Sequence, residues 1–402
     1  MRILLINQYA GSPSLGMEYR PHWMSLEWQK AGHDVLVVAG DHSHLRHDQP
    51  HVGVNVVDGV RYLTLRTLPY KSNGPRRFAN ILSFRGQLKW MTGPLARWQP
   101  DVVIASSTHP MDVRPAVQIA DRAGARFVYE IHDLWPLTPR LLGGMSEAHP
   151  MIRWMQREED FGCREADRAV SILPLTHEYM IAHGLAPDRW VHVSNGIPES
   201  WLEAEPSEGN MNRGPLRIGY FGGHGVSNDL APFIEAAREL RDVGIEFHLT
   251  GDGPLKPQLR ARARDLPHVV FHDPVPLEEA RTRMREMDAL YFGSPHSRLY
   301  QYGVSPNKLF EYLATGLPVV QAIEPPWAPQ VGESFVLSAT AGDSGSIAQA
   351  IRTLLEMTPT ARSSLGWSGR SYVEEHATYR VLATRFLEDP PIAVRDRVSA
   401  AR

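Results

Sequence analysis

The chain has 402 residues, which is enough for two or three domains with well-filled cores. With 43% hydrophobic and 22% charged residues it has a globular composition, which excludes a collagen, a coiled coil or a wholly disordered chain. The formal net charge of −3 predicts no nucleic-acid partner, and the single cysteine, Cys163, excludes an internal disulfide framework. No apolar stretch of about 18 residues and no signal-peptide pattern occur, so the sequence predicts a cytoplasmic protein.

The first half of the chain alternates short apolar runs with stretches of helical period. Strands are predicted at residues 2–7, 34–39, 101–106, 126–131 and 168–172, with helices between them that include residues 24–31 and 115–123. Strands that are apolar along their whole length are typical of a parallel sheet covered on both faces. We therefore predict an α/β domain over residues 1–202.

A polar stretch without periodicity, residues 203–215, is predicted to be a linker, and the alternation restarts after it. Strands are then predicted at 216–221, 246–250, 268–271, 289–292 and 318–322, and helices at 230–243, 255–263, 277–287, 307–314, 347–355 and 361–387. We predict a second α/β domain over residues 216–370 and a frayed tail over 389–402. Two doubly wound, Rossmann-like domains facing across a cleft would bind ligands beyond the carboxyl ends of their strands.

The segment SPNKLFEYLATGLPVV, residues 305–320, places a lysine at the start of a predicted helix. Ser305 is a good N-cap and Pro306 a good first helical residue, so Lys308 falls in the first turn, with Glu311 on the same face. A cation there opposes the helix dipole and costs about 0.3–1 kcal/mol unless an anion binds. The pattern indicates a phosphate on Lys308, with Glu311 accepting hydrogen bonds from a diol such as ribose. An ordinary surface ion pair is the alternative.

Glycine-rich turns follow the first predicted strand of each half. The segment GYFGGHGVSNDL, residues 219–230, places Gly222 and Gly223 where the backbone can approach an anion closely. Its spacing is not GxGxxG and the chain has no P-loop motif, so the dinucleotide and P-loop interpretations fail. In the first half, YAGSPSLGMEYR places Gly16 in a comparable turn. A tight packing turn is the alternative for both segments.

The segment YEIHDLWP, residues 129–136, delivers His132 at the carboxyl end of a predicted strand. This histidine could act as a general base, bind a sugar hydroxyl or serve the structure alone. No D-x-D triplet occurs, and the histidines within residues 42–51 lack metal-ligand spacing, so no metal site and no metal cofactor are predicted. Lys308 and helix N-termini would neutralise a diphosphate instead.

The region between Asp58 and Asp101 is strongly basic, because it contains eight lysines and arginines and no acidic residue. Arg76, Arg77 and Lys89 lie there among aromatic and aliphatic residues, in a basic amphipathic pattern. This pattern favours an anionic membrane surface or an acceptor that carries a diphosphate. A solvated cationic face over an ordinary core stripe is the alternative.

Together these segments give the chain a resemblance to a known family. The motifs YAGSPSLGMEYRP, SHLRH, EIHDLWP, SNGIP, LTGDGPL and YGVSPNKLFEYLATGLPVV make it resemble the retaining family 4 glycosyltransferases of the GT-B fold. Within that family it is similar to the bacterial O-antigen and capsule transferases of the N-acetylfucosamine type, from residue 1 to about residue 385. The resemblance implies an acceptor-binding first half, a nucleotide-sugar-binding second half, and a helix over 371–388 that crosses back to the first domain.

The resemblance also implies a role for each matching residue. Lys308, with Asn307, would bind the donor diphosphate, Glu311 would bind the ribose, and His132 would contact the donor sugar near the reacting carbon. The glycines that would lie against phosphates are Gly16, Gly222 and Gly223.

This chain departs from the wider family at two places in the second half. A glutamate that often contacts the sugar is replaced by Gly303, and the turn over 222–229 has neither of the usual Arg and Lys. The phosphate-binding role of Lys308 is correspondingly larger, and the sugar identity cannot be taken from the wider family.

The predicted function is metal-independent transfer, with retained anomeric configuration, of an N-acetylhexosamine or its 6-deoxy form. The donor is a UDP-sugar, and the acceptor is a saccharide linked to a polyprenyl diphosphate at the anionic inner face of the membrane. A soluble acceptor is a variant of this hypothesis. A nucleotide-sugar 2-epimerase, which would need further acid and base groups, and an inactive GT-B scaffold are the alternatives.

Overall fold

The computed structural model describes residues 1–71, 74–206, 214–323 and 335–388, which form two compact units. Unit 1 consists of Met1–Ser194 and the helix that begins at Tyr379, and unit 2 consists of Asn195–Thr378. Each unit is built on one mainly parallel sheet. The predicted α/β class, with two Rossmann-like domains, is therefore confirmed.

The sheet of unit 1 has eight strands. They are β1 (Arg2–Ile6), β2 (Asp34–Gly40), β3 (Gly53–Val57), β4 (Val60–Leu65), β5 (Val102–Ala105), β6 (Arg126–Ile131), β7 (Arg168–Ser171) and β8 (Trp190–His192). Their order is β3-β4-β2-β1-β5-β6-β7-β8, and all neighbours are parallel except the β3–β4 hairpin. The four apolar residues of the central strand β5 are all buried, as a strand covered on both faces requires.

Helices cover this sheet between the strands. They are α1 (Arg20–Lys30), α2 (Pro75–Arg97), α3 (Val113–Ala123), α4 (Leu137–Leu141), α5 (Pro150–Glu165) and α6 (His177–Ala182). Proline begins α2 and α5, where its missing N–H costs no helical hydrogen bond. Gly124 ends α3 in the left-handed conformation, with φ of 68°, which glycine adopts at little cost.

The sheet of unit 2 has six parallel strands. They are β9 (Leu216–Phe221), β10 (Ile245–Thr250), β11 (Val269–His272), β12 (Ala289–Gly293), β13 (Val319–Ala322) and β14 (Leu337–Ala339). Their order is β11-β10-β9-β12-β13-β14. The helices are α7 (Leu230–Glu239), α8 (Lys256–Arg262), α9 (Leu277–Arg285), α10 (Asn307–Ala314), α11 (Ser344–Glu356) and α12 (Pro359–His376). The strand order reverses between β9 and β12, which is where doubly wound sheets bind ligands.

The last described helix, α13 (Tyr379–Glu388), belongs to unit 1. The indole nitrogen of Trp28 donates to the carbonyl of Ala383 at 3.0 Å, and the rings of Trp28 and Phe386 lie 5.2 Å apart. The single helical stretch predicted over 361–387 is thus wrong. It is two helices, because the chain is extended at Thr378, where it pairs with Ile197 in a β-bridge.

The unit boundaries differ from the predicted domain boundaries. Unit 1 ends at Ser194 rather than at residue 202, because Asn195 and Ile197 already bond within unit 2, to Ser305 and Ala377. The helix that belongs to unit 1 begins at residue 379 rather than 371, since Arg370 Nη1 donates to the Ala314 carbonyl at 2.7 Å and holds α12 in unit 2. Residues 207–213 of the predicted linker and the predicted tail 389–402 lie outside the described residues.

Three strands of unit 1 were absent from the sequence prediction. Strand β3 lies at the sheet edge, where Val54 and Val56 are exposed, and Asn55 interrupts its apolar residues. Strand β4 pairs with it, and β8 has only three residues. A search for continuous apolar runs detects neither the two edge strands β3 and β8 nor β4, whose sequence VRYLTL alternates apolar and polar residues.

Candidate active site

The lysine-containing helix α10 has the predicted bounds, but its N-cap lies one residue later than the sequence predicts. Pro306 is its N-cap, with extended φ and ψ of −74° and 132°, so the predicted capping role of Ser305 is wrong. The Ser305 hydroxyl instead accepts a hydrogen bond from the backbone N–H of Asn195 at 2.8 Å. Lys308 is the second residue of the helix and lies in its first turn, as predicted.

The Lys308 ammonium reaches from α10 to the turn that follows β9. Its Nζ donates to the Asn228 Oδ1 at 2.6 Å and to the Tyr220 hydroxyl at 2.9 Å, and it lies 4.9 Å from the centroid of the Tyr220 ring. Burial lowers the pKa of Lys308 to about 8, although nearby Glu311 opposes the shift. A desolvated ammonium held by neutral groups binds an anion strongly, because no carboxylate has to be displaced.

Gly222 and Lys308, both predicted at the donor site, are in contact. Gly222 has φ of +141°, and a Cβ at this position would lie 2.3 Å from Cε and 2.6 Å from Nζ of Lys308. With any side chain at this position, the end of the Lys308 side chain would have to move. Gly223 is different, because a Cβ there would meet nothing closer than the Asn228 Nδ2 at 3.8 Å.

Glu311 lies one helical turn after Lys308. Burial raises the pKa of its carboxyl to about 7, and the neighbouring cations Lys308 and Arg281 oppose that shift. The residue lines a cavity of about 470 Å³ within unit 2, together with Trp201 and Arg281. A carboxylate at the wall of a cavity of this size can accept hydrogen bonds from a bound diol.

Several polar groups of unit 2 are buried without a hydrogen-bond partner among the described residues, and two of these residues belong to the lysine-containing and glycine-rich segments. They contribute the Oδ1 of Asn307 and both ring nitrogens of His224. Burial lowers the pKa of His224 to about 4, so the ring is neutral and keeps one N–H donor. Sequence reasoning did not single out His224, Tyr220 or Asn228, although all three belong to the glycine-rich segment that it did identify.

His132 of unit 1 directly follows β6, at the carboxyl end of its sheet, and one ring nitrogen contacts buried side chains. Its Nε2 lies 2.9 Å from the Ser106 Oγ and 3.2 Å from the Glu130 Oε2. The Ser106 hydroxyl donates to that same Glu130 oxygen at 2.6 Å. These three side chains are buried.

A buried arginine completes this group. The Arg20 Nε donates to the Glu130 Oε1 at 2.8 Å, and its other nitrogens donate to the carbonyls of Val193 and Ser194. Burial alone would raise the pKa of Glu130, but Arg20, with His132 and Ser106, outweighs it and lowers the pKa to about 2. Sequence reasoning missed Arg20 and Ser106, because 110 residues separate Arg20 from Glu130 in the chain.

The predicted glycine of unit 1, Gly16, lies in a tight loop. Its φ is +109°, and it forms isolated β-bridges with Ser12 and Arg46. A Cβ at Gly16 would lie 2.8 Å from the Nδ1 of His47. The loop geometry therefore requires glycine here, independently of any ligand.

The predicted acceptor-side residues lie on α2. Arg77 packs against two aromatic rings that follow β1 and β6, at 5.4 Å from Tyr9 and 5.5 Å from Trp135. Arg76 and Lys89 are exposed, and the neighbouring Trp90 has 85% of its surface exposed. Within the described ranges, no helix has the length and apolarity needed to cross a bilayer.

One group of three side chains among the described residues has a geometry compatible with a metal ion. It consists of Glu159, Asp160 and His183 of unit 1, whose ligand atoms lie within 4.8 Å of one another. The Gln156 amide nitrogen already contacts an atom of each, at 2.8, 2.8 and 3.0 Å. None of the predicted site residues belongs to this group.

Two family models match consecutive parts of the chain. The model described as glycosyl transferase 4-like domain matches residues 16–196, and the model described as glycosyl transferases group 1 matches residues 215–357. Together they span most of the chain, one on each unit. The chain belongs to the GT-B glycosyltransferases. The finer resemblance to N-acetylfucosamine transferases stays a prediction.

Solved structures share the fold of this glycosyltransferase at low sequence identity. HepE of Anabaena, in complex with UDP and glucose, is 15% identical with a TM-score of 0.66, over 96% of this chain and 98% of that chain. Sucrose-phosphate synthase of Thermosynechococcus elongatus is 16% identical with a TM-score of 0.70, and the match covers 96% of this chain and 97% of that chain. The lipopolysaccharide outer core galactosyltransferase WaaB is 16% identical with a TM-score of 0.62, and the match covers 96% of this chain and 98% of that chain. No curated protein sequence matches the chain.

Proposed function

We propose that this glycosyltransferase transfers a sugar from a UDP-sugar to a saccharide acceptor, with retained anomeric configuration and without a metal ion. The observation that carries the proposal is the position of the Lys308 ammonium, held against Gly222 in the first turn of α10. The helix N–H groups, the ammonium and the glycine-rich turn form a site for a diphosphate. Glu311 lies one turn further, where it can bind ribose hydroxyls.

The choice of UDP draws on proteins of the same fold. HepE has been solved with UDP and glucose, and another structure of this fold, from E. coli, with UDP-2-fluoro glucose. The sugar itself, an N-acetylhexosamine or its 6-deoxy form, is proposed from the motif resemblance described above.

The proposed reaction is a front-face displacement. The bond between the anomeric carbon and the diphosphate oxygen breaks, while the acceptor hydroxyl forms its bond to that carbon on the same face. The acceptor proton passes to the departing phosphate oxygen. Lys308 and the N–H groups of α10 stabilise the negative charge on the diphosphate. His132 contacts and orients the donor sugar.

The surroundings of His132 support this mechanism over double displacement through a carboxylate. Glu130 is ion-paired with Arg20 and buried. The Asp133 carboxylate accepts hydrogen bonds from the Thr138 hydroxyl at 2.6 Å and from the Trp135 indole nitrogen at 3.1 Å. Both carboxylates next to His132 in sequence are therefore engaged, and neither is a good nucleophile.

Charge neutralisation by Lys308 makes a metal ion unnecessary for the leaving diphosphate. The chain has no D-x-D triplet, the usual arrangement of carboxylates that hold a metal on a diphosphate. The Glu159 group already bonds to Gln156. We therefore propose that transfer is insensitive to chelators.

The proposed acceptor is linked to a lipid diphosphate, and α2 is proposed to lie on the anionic membrane surface. An exposed tryptophan beside a lysine combines an interfacial anchor with a cation that attracts anionic headgroups. Arg76 and Arg97 add positive charge to the same helix, which has no acidic residue.

Replacing Trp90 by serine is expected to lower binding to vesicles of 30% anionic phospholipid several-fold, because the interfacial anchor is lost. Co-sedimentation measures the bound fraction. Trp367→Ser is the matched control, since Trp367 lies in unit 2 and is 49% exposed. Wild-type protein that does not sediment with anionic vesicles, or equal losses in both variants, would contradict the membrane assignment of α2.

The shifted pKa values of Lys308 and Glu311 predict a pH optimum for nucleotide binding. Above pH 8 the free protein loses the Lys308 ammonium, and below pH 7 it protonates the Glu311 carboxylate. UDP affinity should therefore be greatest between about pH 7 and 8 and fall by up to about tenfold per pH unit above 8. Calorimetric titrations from pH 6 to 9 measure this. Lys308→Met should remove the alkaline decline, and a flat profile in the wild type would refute the assignment.

The proposed function is tested by incubating the protein with a panel of nucleotide-sugars, with and without EDTA, and measuring released nucleoside diphosphate. Release from one UDP-sugar, unchanged by EDTA, is the expected result. Nucleotide binding without release from any donor would mean either a missing acceptor or an inactive scaffold. Release that EDTA abolishes would overturn the metal-independent mechanism.

A further inference from the structure

We propose that Glu130, anchored by Arg20, is a positioning residue that fixes His132 in the tautomer protonated at Nε2. In the neutral ring the Nδ1 lone pair is then offered to the ligand, so the group that neutral His132 recognises is a hydrogen-bond donor, such as a sugar hydroxyl or an N-acetyl N–H. This inference rests on the proposed function and adds to it.

The protons around Nε2 can be counted. The single hydroxyl proton of Ser106 is donated to the Glu130 Oε2 at 2.6 Å. Glu130 is ionised, since its pKa is lowered to about 2, and has no proton to give. Both neighbours of Nε2 can therefore only accept, and the proton in these contacts must come from the ring.

The other ring nitrogen of His132, Nδ1, differs from Nε2 in its hydrogen bonding. No side chain or backbone group of the described residues hydrogen-bonds to the Nδ1 of His132, although the residue is only 8% exposed. In the neutral ring this atom carries a lone pair and no proton. A bound hydroxyl or amide N–H can donate a hydrogen bond to this lone pair, whereas a phosphate oxygen, which is an acceptor, cannot.

Arg20 determines how the network responds to substitution at Glu130. Arginine has only donors, so the position of the Oε1 must hold an acceptor. In Glu130→Gln the amide oxygen must therefore face Arg20, and the amide NH₂ must face Ser106 and His132. That NH₂ needs an acceptor at Nε2, which moves the ring proton to Nδ1. The substitution thus inverts the tautomer without changing the shape of the side chain.

Ser106→Ala is the matched control. It removes a member of the network, but the Glu130 carboxylate still lies 3.2 Å from Nε2 and keeps the proton there. We expect Glu130→Gln to lower kcat of transfer by about 10–100-fold, as loss of an orienting partner does for metal-ligating histidines, and Ser106→Ala to lower it by less than about threefold. The Kd for UDP should be unchanged in both, because the proposed UDP site lies in unit 2.

The direct readout is ¹⁵N NMR of the protein labelled at histidine, with the His132 signal identified by its absence in His132→Asn. The wild-type ring should be protonated at Nε2, and the Glu130→Gln ring at Nδ1. A wild-type ring protonated at Nδ1 overturns the inference, as do equal kcat losses in the two variants. The wild-type spectrum decides the tautomer even if Glu130→Gln fails to fold. The spectrum does not depend on turnover, so this test can fail or succeed independently of the proposed function. Failure of the proposed function would appear instead as no nucleotide release in the wild type.

Discussion

Lys308→Met is expected to lower kcat/KM for sugar transfer by about 10²–10³-fold, the loss seen when one charge-stabilising group is removed from a transition state. The methionine keeps the length and most of the apolar contact of the lysine stem but has no charge. The diphosphate site would then lose the positive charge of the ammonium, which in the wild type bonds to Tyr220 and Asn228. Initial rates of nucleotide release measure the loss of transfer activity, and the Kd for UDP measures the loss of nucleotide binding.

Lys30→Met controls for the general loss of a positive charge. The Lys30 side chain is 68% exposed on α1 and pairs with Glu27. This variant should keep wild-type kinetics and UDP affinity. If Lys308→Met keeps more than about a third of wild-type kcat/KM, Lys308 does not stabilise the leaving diphosphate.

Gly222→Ala is expected to weaken UDP binding about as much as Lys308→Met does, because the added methyl group would lie 2.3 Å from Cε and 2.6 Å from Nζ of Lys308 and displace them. The backbone φ of +141° adds strain for any residue other than glycine. The lysine must swing out of its contacts with Tyr220 and Asn228, so the charge leaves the diphosphate position. Calorimetry with UDP measures the loss, and circular dichroism checks that the variant is folded.

Gly223→Ala separates this effect from a general disturbance of the turn. The same methyl group at the next position meets only the Asn228 Nδ2 at 3.8 Å, which is an ordinary van der Waals distance. We expect its Kd for UDP to stay within about threefold of the wild type. Equal losses in the two variants would mean that the turn, and not its contact with Lys308, determines nucleotide binding.

The sequence predicts the parts of this protein that depend on local pattern. Strands β6 and β9 and helix α10 have the predicted bounds, because each is a short periodic or apolar segment between clear turn residues. The first-turn position of Lys308 follows from the same pattern. The edge strand β3 and the break between α12 and α13 were missed, because both depend on what the chain contacts elsewhere.

The candidate site was only partly predictable for the same reason. The motifs identified Lys308 with Glu311, Gly222 and His132 in three separate segments. The contact of Lys308 with Gly222 joins residues 86 positions apart and is visible only in the fold. The Arg20–Glu130 ion pair was not predicted, because the two residues lie in separate motifs and an arginine is expected at the surface, whereas Arg20 is only 1% exposed in the fold.

The affinity series of uridine, UMP and UDP for the wild-type protein, measured by calorimetry at pH 7.5, tests the central claim most directly. If Lys308 and the N-terminus of α10 hold a diphosphate, UDP should bind at least about tenfold more tightly than UMP, as one added charge-assisted hydrogen bond predicts. Equal affinities for the three ligands, or binding of none, would contradict a diphosphate site in unit 2.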